Sequence, residues 1–372
     1  MEYIRLLTLP ENLMWAWHKA KNLYKYSDIV YDKAAVAEFE LNLEANLLSI
    51  KEAFEKGTYE LEPLKLMPQP KKPTEDGKPR VRQNFEINVK DQVAWIAICN
   101  IIGPRLDSLM PEWSFGHRLY RVVWKEDEHE NEGDKPSAIK WGPYRHSSGQ
   151  LYKKFQHGWP LFRRLLSITA RCMVGNVTSL HNIDDPGERA AWLHSEDLCY
   201  LKSQFWHEKK TDDLYYASLD LTTFYPNIKT DAILSGLSHL PDVDRTDKIY
   251  GLMHSMLQFR VEEIPSPLNQ YSEYVDPPTG TGHFEGIPTG LLVAGFLSNV
   301  AMLPVDNEVE ELIESKRNIA HFRYVDDHSI LSQDFDDLCS WITQYQDILK
   351  RHEIFKEETF FNIDKCEPKE LI

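Results

Sequence analysis

Between Lys33 and Lys56 the apolar residues Phe39, Leu43, Leu47, Ile50 and Phe54 recur every three or four positions, and Gly57 follows them. That spacing lays one apolar stripe along a helix, and a glycine just past the stripe is a common stop, so the pattern predicts an amphipathic helix over 33–56. From Tyr59 to Val89 the pattern breaks into short strand-like pieces around a Pro/Gly-rich turn, PQPKKPTEDGKPR. A hairpin with basic residues at its tip and flanks is predicted there. A second helix is predicted from Asp91 to about Leu109. From about Leu214 onward strand-like and helical runs alternate: YYASLDL, a helix near 230–240, GLLVAGFLSNVAMLPVDNEVEELI, HFRYVDDHSIL and a last short strand, FFNIDK. Strands and helices mixed in this way predict an α+β layer in which helices back a small sheet.

Two stretches between these regions are opposites. KEDEHENEGD, over 125–134, has no apolar residue to offset the entropy of ordering and is expected to be a mobile surface loop within an insertion. From Lys140 to Arg171 there are seven Lys/Arg and no Asp or Glu, interleaved with Trp141, Tyr144, Tyr152, Phe155, Trp159 and Phe162. Such a segment suits neutralisation of a nucleic-acid backbone together with base stacking, and Lys153, Lys154, Arg163 and Arg164 are the candidate contacts. An amphipathic basic helix packed on an acidic neighbour is the other reading.

At 372 residues and 42% hydrophobic the chain can bury a large core, as one multi-lobed unit or two closely packed domains. The apolar run around 291–300 is broken by Gly, Ser and Asn and falls short of the roughly 20 residues of a membrane span. MEYIRLL has no export pattern, so a cytoplasmic protein with no membrane partner is expected. The five cysteines are dispersed, which fits buried thiols better than disulfides or zinc ligands. A net charge of −16 means that any surface for nucleic acid must be local.

Among the Asp–Asp pairs, at 184–185, 212–213, 326–327 and 336–337, only Asp326–Asp327 lies between two apolar, β-favouring runs, FRYV and SIL. A strand-turn-strand hairpin would hold both carboxylates at its tip, where their repulsion and desolvation call for a cation. Asp220 ends the strand-like YYASL before the turn TTFYPN. Three carboxylates on two neighbouring strands could hold two Mg²⁺ ions about 3.5–4 Å apart and carry out phosphoryl transfer. Taken singly, each aspartate reads as well as a turn residue or a helix cap.

The strings LDLTTFYPNI (219–228), GIPTG with the downstream SNVAMLPVD (286–306) and YVDD (324–327) resemble, in order, the three central palm motifs of reverse transcriptases. FNIDK, ending at Lys365, resembles the next palm motif, while GKPRVR, VKDQVAW and SFGHR resemble fingers motifs. The resemblance spans about 59–365, interrupted from Leu119 to about Asp212. It implies a right-hand polymerase fold, with N-terminal helices and fingers over 1–118, an insertion over 119–212 and a palm over 213–372 that encloses part of the fingers between about 232 and 280. A thumb is expected to be absent or truncated. Asp220, Asp326 and Asp327 would be the catalytic metal ligands, with the backbone of Leu221, for two Mg²⁺ ions or Mn²⁺. Tyr225 would be the steric gate that excludes a 2′-hydroxyl, with Phe224 beside it. Arg82 would reach the triphosphate, with Arg80, Lys90 and Arg118 as further candidates. Gly286, Pro288, Thr289 and Gly290 would form the loop under template and nucleotide, Asn299 would sit on the helix after it, and Lys365 would lie near the nucleotide. The family commonly has glutamine where this chain has Thr289, which leaves that contact open.

Within the family the motif wording looks most like the bacterial defence-associated group, abortive-infection and unknown-group enzymes. That implies dNTP substrates, a non-coding RNA template, a DNA product, a role against phage and a possible homo-oligomer. A retron-type enzyme, an RNA-dependent RNA polymerase and a catalytically silent RNA-binding scaffold are the alternatives. An aromatic residue at 225 and the absence of a GDD hairpin disfavour the RNA polymerase, and three intact carboxylates disfavour the scaffold.

Overall fold

The computed structural model describes residues 2–26, 30–73, 77–126, 138–174, 213–241, 243, 245–263, 274–276, 279–315, 318–357, 361 and 368–371. Four helices open the chain: α1 (Glu2–Leu7), α2 (Pro10–Tyr26), α3 (Lys33–Leu41) and α4 (Leu43–Lys56). The single helix predicted over 33–56 is two. The break is at Asn42, whose backbone leaves helical geometry (φ −109°, ψ 27°) and whose side-chain amide donates to the Glu38 carbonyl at 3.2 Å. A short amide side chain competing for backbone partners ends α3 without disturbing the apolar spacing. Gly57 closes α4 in the left-handed region (φ 67°), as the pattern predicts.

The predicted hairpin follows as β1 (Lys65–Leu66), β2 (Gln69–Lys71), β3 (Arg80–Arg82) and β4 (Phe85–Glu86). β1 pairs with β4 and β2 with β3, both antiparallel. Next comes α5 (Val89–Leu109), capped by the Asn88 side chain and buried on nearly every face. β5 (Ser114–Phe115), the hairpin β6 (Arg121–Glu126) and β7 (Ala138–Tyr144), and α6 (Phe155–Met173) lead to β8 (Leu214–Asp220). Most of the acidic stretch lies outside the described residues. Three helices follow, α7 (Phe224–Asn227), α8 (Thr230–Leu237) and α9 (Lys248–Met256), then β9 (Phe259–Val261), β10 (Val275–Asp276) and β11 (Gly282–Phe284). The chain continues through α10 (Ala294–Ser315), β12 (Ile319–Tyr324), β13 (Asp327–Ser332), α11 (Phe335–Arg351) and β14 (Pro368–Leu371). No described helix is long and apolar enough to cross a membrane.

The site is positioned by a five-stranded mixed sheet in the order β14-β8-β13-β12-β5, in which β12–β5 is parallel and the other pairs are antiparallel. Alternate residues of a strand face opposite ways, and β12 uses both faces. His321 and Arg323 meet α11 and α10, through Trp341, Tyr345 and Asp306. Tyr324 meets α6, through Phe155, Trp159 and Phe162. Helices on both sides explain why five of the six residues of β12 are buried without alternation. The prediction of helices backing a small sheet is right for one face, and α6 adds cover on the other.

Candidate active site

The turn between β12 and β13 is held in an expensive shape. Val325 has φ 61°, and a β-branched side chain in the left-handed region costs on the order of 1–3 kcal/mol. Its N–H donates to the Phe115 carbonyl at 3.3 Å, and its own carbonyl accepts from Arg323 Nη1 at 3.2 Å. Arg323 has no exposed surface. Its Nε donates to Asp306 Oδ1 (3.1 Å), Nη1 also to Asn299 Oδ1 (3.0 Å), and Nη2 to Ser114 Oγ (2.7 Å) and Asp306 Oδ2. One guanidinium therefore ties the turn to α10 and β5. Asn299 completes the brace by donating to the Gly116 carbonyl at 3.0 Å, a structural use of a residue expected only on the helix after the loop.

The register sets the three predicted aspartates at neighbouring backbone positions. Asp327 pairs with Tyr324 across the hairpin and with Asp220 on β8, while Asp326 sits in the turn between them. Directly opposed residues of antiparallel strands project on one face, with Cα atoms about 4.5–5.5 Å apart. Asp220, Asp327 and Tyr324 thus share the face covered by α6. Asp220 and Asp326 are half-buried and Asp327 is exposed. The Leu221 N–H donates to the Asp326 carbonyl at 3.3 Å, which sets the backbone of Leu221 in the same cluster.

After β8 the chain turns through Thr223 in the left-handed region (φ 46°) into α7, which carries Phe224, buried, and Tyr225, half-buried. Burial, then the nearby charge of Asp326, raises the Tyr225 hydroxyl above the usual phenol range. The Tyr225 carbonyl accepts from the Ile287 N–H at 2.9 Å, docking the GIPTG loop against α7. Gly286 (φ 121°) and Gly290 (φ 113°) have no room for a side chain. A Cβ would stand 2.3 Å from the Pro226 oxygen and 2.2 Å from the Phe85 oxygen. Pro288 is buried, and the Thr289 carbonyl accepts from Phe85 N–H at 2.8 Å. Gln92 on α5, part of the VKDQVAW string but given no role there, clamps the loop by donating to the Gly290 carbonyl and accepting from Leu292 N–H, each at 2.8 Å.

Behind the hairpin lies a buried chain of side chains that no sequence motif marks. The Trp341 indole N–H donates to His321 Nδ1 (3.2 Å), so His321 carries its proton on Nε2 and donates it to His328 Nδ1 (3.1 Å). Burial drives both imidazoles down, His321 to about 3 and His328 well below its usual value. Both are neutral when folded and protonate when unfolded, so their contribution is complete above pH 6.5 and is lost as pH falls below it. By pH 5.5 the pair is expected to cost about 3 kcal/mol of stability. Urea melts between pH 7 and 5 check this: the acid loss should be about halved in His328→Leu, and an equal loss in both proteins refutes it.

Of the other predicted residues, Arg82 is exposed on β3, whose neighbours are β2 and, in parallel, β10. Arg80 is exposed on the same strand. Lys90 donates to Ser49 Oγ at 2.9 Å and lies over the Tyr59 ring. Arg118 is a correction. Its Nε donates to the buried Asp107 at 3.0 Å and its Nη groups to the Pro111, Ser114 and Asp107 carbonyls, so it is built into the fold rather than offered to a triphosphate. Lys365 lies outside the described residues. On or just before α6, Lys154, Arg163 and Arg164 are exposed and Lys153 is half-buried. The aromatic half of that segment is corrected too. Phe162 is buried and Trp159 packs edge-on to Tyr324 at 4.9 Å, whereas Phe155 is 59% exposed, the most open of the described rings of α6.

Among the described residues no group of three or more His, Cys, Asp or Glu side chains is already gathered as a metal cluster. The donors nevertheless suit one kind of ion. Carboxylate oxygens from Asp220, Asp326 and Asp327 and a backbone oxygen of Leu221 are hard ligands of the type that Mg²⁺ and Mn²⁺ prefer.

No protein-family model and no curated protein matches the chain. Among solved structures it is similar to an apo telomerase from Candida tropicalis, at 14% identity over 57% of this chain and 35% of that one, with a TM-score of 0.33. The chain thus spans about a third of the length of that structure.

Proposed function

We propose that this chain is a polymerase of the reverse-transcriptase type, which adds deoxynucleotides to a 3′-hydroxyl on an RNA template. The observation that carries the reading is the strand register that sets Asp220 opposite Asp327, with Asp326 in the adjoining turn. Two divalent ions held there would lower the charge on the triphosphate and activate the attacking hydroxyl. In this reading the sheet with α10 and α11 behind it is the palm, and the β2–β3 hairpin is the finger that carries Arg82 to the triphosphate. The Tyr225 ring lies under the sugar, Phe224 supports it from the core, and the 286–290 loop seats the templating pair. Lys153, Lys154, Arg163 and Arg164 line the route of the RNA on the carboxylate side of the sheet. A small non-coding RNA as template and a place in anti-phage defence follow from the family resemblance.

Incubating the purified protein with single dNTPs or rNTPs and Mg²⁺, then sequencing any product, tests this. Wild type is expected to extend with dNTPs alone, and Tyr225→Ala is expected to accept rNTPs at least about tenfold better, the loss of one contact worth about 1.4 kcal/mol. No product with any nucleotide or primer sinks the enzyme reading, and unchanged sugar discrimination sinks the gate.

A further inference from the structure

A second site lies away from the sheet, where α2 runs along α5. Lys19 sits in that seam at 5% exposure. Its Nζ donates to Asn100 Oδ1 at 2.5 Å, Asn100 donates to Asn12 Oδ1 at 3.1 Å, and Asn12 donates to the Leu7 and Ala97 carbonyls. The lysine thus ends a buried polar chain whose other members are neutral. An ammonium has three donors, and a buried cation without a counter-charge is costly.

Among the described residues no neighbouring group serves as that counter-charge. Cys99 lines the same cleft, but burial pushes its thiol up to about 12, so it stays neutral. Asp107, the acid nearest that thiol, already accepts from Arg118 Nε (3.0 Å), Leu119 N–H (2.9 Å) and Tyr144 O–H (2.6 Å). No Asp or Glu lines the cleft. Its mouth carries Arg145 and His146 instead, both exposed. The His146 imidazole is held below its usual range by partial burial and then by the charge of Lys19, which puts it within that charge's reach. The loop that bears these two residues is fastened down: Asn22, one turn from Lys19 on α2, donates to the Gly149 carbonyl at 2.8 Å, and Tyr120 N–H to the Leu151 carbonyl at 2.9 Å. Among the described residues this cleft is lined by three basic side chains and no acid, in a chain of net charge −16.

We propose that this cleft binds a phosphate group, with one oxygen on the Lys19 ammonium and the others between Arg145 and His146. The cavity of about 20 Å³ has room for a single oxygen or water at its floor, so the phosphorus and remaining oxygens stay at the mouth. A tetrahedral anion offers oxygens toward all three donors, whereas a planar carboxylate has only two to share. The phosphate comes either from free phosphate or a nucleotide, or from the backbone of a bound strand. The inference is independent of the carboxylate cluster.

The full-length protein, Lys19→Met and Arg145→Ser/His146→Ser are compared in two titrations. One follows the melting midpoint in millimolar inorganic phosphate against chloride of equal ionic strength, and the other the anisotropy of a short labelled RNA. A phosphate-dependent rise in wild type that both variants lose supports the site and assigns it to free phosphate or nucleotide. RNA binding weakened about tenfold in both variants, with no response to inorganic phosphate, supports it as a strand contact. Lys19 is buried and cannot add to non-specific attraction, so its variant separates a built site from a basic surface. If Lys19→Met fails to fold, the exposed double variant decides through the phosphate titration, where ionic strength is matched. Wild type and that variant behaving alike in both titrations overturns the proposal.

Discussion

Replacing Asp326 and Asp327 together by alanine is expected to lower dNTP incorporation by at least about a thousandfold, because metal-assisted charge neutralisation is worth several kcal/mol and about 4 kcal/mol corresponds to that factor. Stability should move the other way or stay put. Both carboxylates stand at a partly exposed turn in which like charges crowd together, so relieving the repulsion should offset whatever hydrogen bonding the carboxylates provide, with a net change within about 0.5 kcal/mol. Primer extension and a urea melt on one preparation separate the two effects. Retained synthesis would remove these residues from the chemistry, and a collapsed melt would make them structural.

The largest loss of stability is expected from Arg323→Met. Arg323 and Asp306 are buried to 0% and 1% exposure, so deleting the cation leaves a carboxylate in the core, at a cost of about 3–5 kcal/mol. Arg323→Met with Asp306→Leu should lose much less than the two single losses added together, since no orphaned charge remains. The pH response of the single variant has a definite sign. Burial already raises the Asp306 carboxyl, and Arg323 is the partner that opposes the rise. Without that partner the folded form binds the proton more tightly than the unfolded chain does, so the stability gap between Arg323→Met and wild type should narrow as pH falls toward the normal aspartate range. Unfolding curves at neutral and mildly acidic pH check it. Additive single losses, or a gap to wild type that does not change with pH, would refute the account.

Much of the sheet could be read from the sequence because its signals are local. YYASLD and FRYV are β-favouring runs, and two aspartates between apolar runs mark a hairpin tip whatever surrounds them. Arg323 illustrates the limit. In the string it is one more arginine, and its burial follows from its facing α10, where Asp306 sits 17 residues earlier in the chain. His321 and His328 escaped for the same reason, since their meaning lies in Trp341, on a different element. The segment from Lys140 to Arg171 was ambiguous because composition records charge and aromaticity without recording what the rings touch. Tyr324 packs against three of those rings, while Lys154, Arg163 and Arg164 beside them stay exposed. Asn42 was missed because a break in a helix need not interrupt the apolar spacing across it.

β8 and β13 are separated by about a hundred residues in the chain, and β5 is more distant still from its parallel partner β12. Closing such long loops is entropically slow, and the return comes only once both strands are in place. The pairing of Asp220 with Asp327 therefore has no local precursor: a nascent chain that has emerged only through β8 carries Asp220 without a neighbour to pair with. Any catalytic competence should appear late and all at once during refolding, after the N-terminal helices have already gained their helical signal.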